Sequence, residues 1–254
     1  MAKIISLANQ KGGVSKTSTA HLLALGLKQQ GYKVLLVDLD PQTNLTFIAG
    51  AYDKTPTIYE VLTSRSDAKG AIFTGGNVDI IPGSTDLMGA DMEFSKTGRE
   101  YMLREALEPL NKAYDVILID CPPALGVLTV NALTASNSTL IPCGADILSI
   151  QGFSQLYDLI GSVKKYTNKK LNISGLVVTR YDTRTKLSKD FTSELERISD
   201  KLKVHLYDTK LREGVAVKRY QADNTDPYRA EAQASVIKDY IAFIGEIKER
   251  EGLK

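Results

Sequence analysis

Cysteine occurs only twice in this 254-residue chain, at Cys121 and Cys143. Two thiols so far apart in sequence supply neither a disulfide framework nor a spaced set of metal ligands. Long apolar runs are lacking too, since none approaches the ~20 residues that span a bilayer. The short apolar opening, MAKIISLAN, leads into a glycine loop and has no signal-peptide pattern. These absences predict a cytoplasmic protein. An excess of one charge is also missing. With 32 Lys/Arg against 30 Asp/Glu the chain carries a net +2, which by itself calls for no nucleic-acid partner.

The distribution of charge is less even. Residues 1–160 hold 12 Lys/Arg and 16 Asp/Glu, residues 161–220 hold 15 and 7, and residues 221–254 hold 5 and 7. On charge alone the basic stretch reads equally as a footprint for phosphates and as a solvated lysine face. Hydrophobic content of 43% and charged content of 24% are ordinary for a globular protein. The length suffices for one large buried core.

Continuous aliphatic runs recur along the chain: Lys3–Asn9, Lys33–Asp38, Val78–Pro82, Val116–Asp120, Thr139–Pro142 and Ile173–Thr179. Helical patterns lie between and after them, over about Lys16–Gln30, Arg99–Leu110, Gly152–Tyr166, Leu187–Leu202 and Ser235–Arg250. Strands that are apolar throughout belong to a parallel sheet covered on both faces. The β-then-α alternation predicts a doubly wound α/β fold with a mostly parallel sheet, as one domain over residues 1–254. The segment Gly50–Gly76 is polar and weakly patterned, and reads as a surface excursion.

The first strand runs into Lys11-Gly12-Gly13-Val14-Ser15-Lys16-Thr17-Ser18, and a helix follows. A helix N-terminus at the carboxyl end of a parallel strand presents unpaired N–H groups to an anion. Gly12 and Gly13 let the backbone wrap phosphate oxygens. Lys16 is placed to reach the β- and γ-phosphates, and Thr17 to hold Mg²⁺. The strict G-x-x-x-x-G-K-[ST] pattern fails, because Gln10 and Ser15 stand at its two glycine positions. At Ser15 two readings stay open: a Cβ that crowds the phosphate, or a hydroxyl that donates to it.

Asp38 and Asp40 close the second strand in VLLVDLDPQTN, and Asp120 closes another in VILIDCPPALG. Period-2 alternation points the first two the same way. Carboxylates at those edges suit Mg²⁺, which prefers oxygen ligands and retains waters that acidic groups hold. Water as the attacking group also requires a residue that orients it.

The loop KGGVSKT has a second lysine, Lys11, five residues before Lys16, and so resembles the deviant Walker A loop. Together with VLLVDLDPQTNLT, YDVILIDCPPALGVLTVNALTASNSTLIP and SIQGFSQL, it is similar to the ParA/Soj family of partition ATPases. The resemblance covers nearly the whole chain, most strongly residues 1–50 and 114–160. It implies a P-loop NTPase fold, ATP and Mg²⁺ as cofactors, and slow ATP hydrolysis with Lys11, Lys16 and Asp40 catalytic. Lys11 would reach across an ATP-dependent homodimer to the partner's nucleotide. Asp40 matches the aspartate that orients the hydrolytic water. Asp38 matches the acidic residue supporting the lysine and magnesium shell, and Asp120 the Walker B aspartate, which acts on Mg²⁺ mainly through water. Asp146 falls where the family often has glutamate.

The resemblance further implies sequence-independent DNA binding through Arg184, a ParB-like centromere-binding partner, and a nucleoid-associated location. Lys186, Lys189, Lys218 and Arg219 join Arg184 as clustered cations. The segment Leu211–Val215 matches the region that packs on base and ribose. Many relatives have asparagine where this chain has Gly214, which leaves base contacts to the backbone of Arg212 and Glu213. ATP over GTP rests on the resemblance, and no NKxD is present. No helix-turn-helix precedes the first strand, as in the short form of the family. Rival readings are a MinD-like membrane ATPase, an ATP-dependent small-molecule ligase and a non-hydrolysing DNA scaffold. The first requires a basic amphipathic C-terminal helix, whereas IKDYIAFIGEIKEREGLK carries several acids and predicts a helix packed on the body, with no membrane contact.

Overall fold

In the computed structural model, which describes residues 1–94, 97–145, 148–223 and 226–253, side chains are undescribed at 148–152, 218, 222 and 223. The strands are β1 (Lys3–Leu7), β2 (Val34–Asp38), β3 (Asp79–Ile81), β4 (Val116–Asp120), β5 (Ser138–Gly144), β6 (Asn172–Tyr181) and β7 (Leu211–Arg212). They form a single sheet in the order β3-β2-β4-β1-β5-β6-β7. Every neighbouring pair is parallel. Parallel neighbours need crossovers, and helices supply them.

The helices are α1 (Lys16–Gln29), α2 (Asn44–Ile48), α3 (Ile58–Leu62), α4 (Ala90–Glu93), α5 (Met102–Leu107) and α6 (Val127–Ala135), then α7 (Leu148–Tyr166), α8 (Lys186–Leu202), α9 (Val215–Asp223), α10 (Pro227–Ala230) and α11 (Ser235–Glu251). Helices α1, α2, α9, α10 and α11 cover one face of the sheet with a core that includes Leu22, Leu45, Tyr220, Tyr228 and Phe243. Helices α3 to α8 cover the other, burying Val61, Leu107, Leu133, Phe153 and Leu195.

Strand alternation decides where the acidic ends point. In β2, Leu35 and Val37 join the α3–α8 core, while Val34 and Leu36 join the α1 core. In β4, Ile117 and Ile119 face the first and Val116 and Leu118 the second. Period 2 then carries Asp38 and Asp120, paired in register, onto the α1 face. That is the face on which the glycine loop turns into α1.

Three expectations change. Gly50–Gly76 is not a surface excursion: it contains α3, and Ile58, Val61, Leu62, Ala68 and Ala71 are buried in the core. Its apolar residues are spaced too irregularly to show a period in the sequence. The helix expected over Arg99–Leu110 is a 3-10 turn, then α5, then a second 3-10 turn holding Pro109 near its start, because proline supplies no N–H to continue the helical ladder. The first strand ends at Leu7, since Asn9 leaves the ladder and spends its side chain on the loop.

Helix α11 buries Val236, Ile237, Tyr240, Phe243, Ile244 and Ile247 against the body. Its apolar face is therefore occupied, as the acids on its polar side predicted. Among the described residues, no helix is long and apolar enough to cross a membrane.

Candidate functional site

The carboxyl ends of β2, β4 and β1 lie side by side, and the glycine loop crosses them. Asn9 organises its start. This buried side chain accepts the Lys11 N–H at 2.9 Å and donates to the Pro142 carbonyl at 2.7 Å. Lys16 folds back under the loop, donating from Nζ to the carbonyls of Asn9 at 3.0 Å and Lys11 at 3.2 Å. Burial lowers its pKa, and the charge of Asp120 works against that fall. At the far side, Thr179 Oγ1 at the end of β6 donates to the Val14 carbonyl at 3.0 Å.

The loop encloses the mouth of a cavity of about 560 Å³. Gly12, Gly13, Ser15, Lys16, Thr17 and Ser18 line it together with Asp40 and Glu213. Val14 is buried. Gly13, with φ +74°, needs the left-handed region that glycine adopts without strain. Ser15 shares that region at φ +61° without glycine's freedom. Lys11 is half-buried at the loop's start.

The three aspartates have different surroundings. Asp40 is almost buried on the cavity wall, and its Oδ1 accepts the Gln42 N–H at 3.0 Å. Asp38 is fully buried and committed elsewhere: one oxygen accepts the Asp40 N–H at 3.1 Å, the other the Thr46 N–H at 2.9 Å and its hydroxyl at 2.7 Å. It anchors the Asp40 turn and the start of α2. Thr46 Oγ1 also accepts the Gly83 N–H, and a Cβ at Gly83 would come within 3.0 Å of the Asp38 carboxyl carbon.

Asp120 is fully buried, and among the described residues neither carboxylate oxygen has a hydrogen-bond partner. Burial, then the charge of Asp38, raises its pKa, while the Thr17 hydroxyl and the Lys16 ammonium offset part of the rise. Orphaned buried carboxylate oxygens are costly, and a hydrated cation would satisfy them. The donors present are all oxygens, which suits Mg²⁺. Among the described residues no three His, Cys, Asp or Glu side chains could cage a metal unaided. Such a site would depend on water and on a ligand's phosphates, which is the habit of Mg²⁺.

The expected base-side residues divide. Glu213 borders the cavity, and Arg212 borders a smaller cleft beside Ser15 and Ser18; the Arg212 guanidinium holds both oxygens of Asp239, at 2.7 and 2.6 Å, and its own N–H donates to the same carboxylate at 3.1 Å. The Arg212 backbone N–H is thus engaged by Asp239. Gln221, on α9, donates to Ser18 Oγ at 3.0 Å beside the cavity. Both cysteines are buried free thiols whose pKa burial raises.

Of the basic set, Arg184, Lys186 and Lys189 are exposed together at the start of α8. Arg184 forms a two-pronged pair with Asp182, Nε and Nη2 each at 2.9 Å. Arg219 pairs with Glu231 on another part of the surface. The Lys218 side chain and Asp146 lie outside the described residues.

Asn9, Thr46, Thr179, Arg180 and Gln221 are site residues that sequence reasoning missed. Asn9 left a trace, a polar residue two positions before Lys11 at a strand end, which is an Asx-turn signal. The others come from chain segments brought in by tertiary contacts.

A family model described as an AAA domain matches residues 2–173. The sporulation initiation inhibitor protein Soj of Bacillus subtilis is 42% identical over 202 residues, covering 78% of this chain and 80% of that protein. The chromosome partitioning protein ParA of Caulobacter vibrioides is 38% identical over 200 residues, covering 76% and 75%. Among solved structures, cobyrinic acid a,c-diamide synthase of Mycobacterium smegmatis with ADP and magnesium superposes with a TM-score of 0.78 at 34% identity, over 91% of this chain and 96% of that one. A plasmid partition protein of Borrelia burgdorferi bound to AMPPNP gives 0.76 at 26% identity over 98% of both chains.

Proposed function

The chain belongs to the ParA/Soj family of P-loop ATPases, and from that premise we propose that it is a DNA partition ATPase. Mg-ATP occupies the 560 Å³ cavity and brings two copies together as a sandwich dimer. The dimer holds DNA irrespective of sequence, and hydrolysis stimulated by a ParB-like partner releases it. The observation that supports this reading best is the convergence of Lys16, Thr17 and Asp40 on one cavity, with the orphaned Asp120 oxygens close by.

Lys16 leaves its two loop carbonyls for phosphate oxygens. Lys11 serves the nucleotide of the opposite subunit. Asp40, held by Gln42 on one side and the Asp38–Thr46 anchor on the other, orients the attacking water. A bound Mg²⁺ would supply charge neutralisation at the phosphates, with Thr17 as direct ligand and Asp120 and Asp40 acting through water.

The first turn of α8 supports the DNA half of the proposal. Arg184, Lys186 and Lys189 crowd the positive end of a 17-residue helix, where cations are disfavoured by its dipole and anions are welcomed. Phosphates of a nucleic-acid backbone relieve that repulsion. Two protomers held together multiply such weak contacts through effective concentration.

A second reading, an ATP-dependent ligase for a small molecule, is favoured by the 34% identity to the cobyrinic acid a,c-diamide synthase structure. A ligase requires its acceptor beside the terminal phosphate. A groove of about 1070 Å³ between Val61–Lys69 and the Glu93–Pro109 region shares no lining residue with the phosphate-loop cavity among those described. The ligase reading therefore stands second.

Phosphate release, measured with and without DNA, tests the assignment. Lys16→Ala is expected to lose ATP binding and turnover together. Asp40→Ala should keep binding and lose turnover by about 100-fold. Undiminished hydrolysis by Asp40→Ala would refute the role given to it.

A further inference from the structure

We infer that Arg180 binds the phosphate chain of the nucleotide, aimed at the phosphate loop by a bulge in β6. The inference rests on the nucleotide site proposed above and adds to it a residue from outside the loop.

The backbone carries the first part of the case. Thr179 of β6 pairs with Leu211 of β7, and the next register position pairs Tyr181 with Arg212. Two steps on one strand thus oppose one step on the other, so Arg180 is the extra residue of a bulge. Its φ is +53°, a left-handed conformation that costs an L-residue roughly 1 kcal/mol. Bulges beside active sites characteristically re-aim a side chain. Here the consequence is visible: Thr179 reaches the Val14 carbonyl and Arg180, the very next residue, reaches the Gly13 carbonyl at 3.2 Å.

The side chain carries the second part. Arg180 borders the 560 Å³ cavity and also a smaller cleft of about 90 Å³ beside Ser15 and Ser18. Besides Gly13, its Nε lies 3.5 Å from the Glu213 carboxylate, with both side chains about half exposed. Half-exposed ion pairs contribute little to stability, and a single bond to an exposed carbonyl adds only modestly. These contacts do not account for a strained, bulged arginine. A guanidinium has five donors in a fixed fork, and among the described residues Gly13 and Glu213 engage Nη1 and Nε. The same fork is the side chain best matched to phosphate oxygens. An anion held in the loop gives it the partner that the carbonyl does not.

Glycine relieves the left-handed strain, so Arg180→Gly separates binding from folding. The measurement is equilibrium binding of AMPPNP with Mg²⁺ to the full chain, alongside thermal melting. For Arg180→Gly we expect a melting temperature equal to or above wild type, with affinity reduced at least tenfold, the loss of one charge-assisted bond. Arg180→Lys, which keeps the charge and loses the fork, should recover only part of that loss. AMPPNP binding by Arg180→Gly equal to wild type overturns the inference, as does an affinity loss that merely follows a lowered melting temperature. The Lys16→Ala variant marks the zero of the assay. A wild-type chain that fails to bind AMPPNP removes the nucleotide site itself, and this inference with it. A wild type that binds, with Arg180→Gly binding equally well, removes this inference alone.

Discussion

Ser15 stands on the cavity wall, where its φ of +61° places a Cβ in the region that glycine prefers. Its side chain makes no capping bond to α1 although it occupies the N-cap position. Serine usually compensates at an N-cap by accepting a backbone N–H, so here the strain is not offset within the helix. Ser15→Gly should therefore stabilise the fold by about 1 kcal/mol, read as a higher urea midpoint with an unchanged slope. An unchanged or lower midpoint would mean that the hydroxyl contributes something the backbone geometry conceals. Arg180 is the second strained residue at this site, and the two flank the same loop carbonyls. Strain persisting in two non-glycine residues around one cavity is what functional sites tend to store.

At the scale of elements, α1 does more than present its N-terminus. His21 is fully buried on it, stacked at 5.7 Å on Tyr220 of α9, and among the described residues neither ring nitrogen has a hydrogen-bond partner. Burial pushes its pKa down from 6.5 to about 4, so the folded chain keeps the ring neutral. Between those values the unfolded chain takes up a proton that the folded chain refuses. Stability from this group is then complete above pH 6.5 and falls as pH drops toward 4, by roughly 3 kcal/mol in all. His21→Leu should abolish that part of the acid limb and cost little at pH 7, because it removes two unpaired polar atoms. Urea unfolding at pH 4.5 and 7 decides it: an equally steep loss in the variant would contradict the assignment.

Element by element, legibility followed local physics. β1, β2, β4 and the loop were readable because continuous aliphatic runs, a glycine pair and terminal aspartates all depend on neighbours in sequence. The α3 region was not, because Ile58, Val61 and Leu62 make one short turn with no sustained period. Arg180 was invisible for a different reason. Its direction depends on a two-residue edge strand, β7, which is too short to announce itself. The Arg212 side chain was likewise readable only once α11 brought Asp239 against it.

Across the whole molecule, the site sits where the acidic and the basic parts of the chain meet. The loop and its aspartates come from residues 1–160, while β6, the start of α8 and the segment after β7 come from the basic 161–220 stretch. Thr179 and Arg180 join the two by holding consecutive loop carbonyls, and Arg184 follows four residues later on the same strand exit. A nucleotide that moves the loop thus acts on the segment proposed to meet DNA. The account depends on Lys11 completing the site of an opposite subunit. Sedimentation velocity of Asp40→Ala, which is expected to hold ATP unhydrolysed, tests this most directly. The account predicts a monomer without nucleotide or with ADP, a dimer with Mg-ATP, and a monomer again when Lys11→Ala is added. A species whose sedimentation is indifferent to ATP, or a dimer that survives the loss of Lys11, would contradict it.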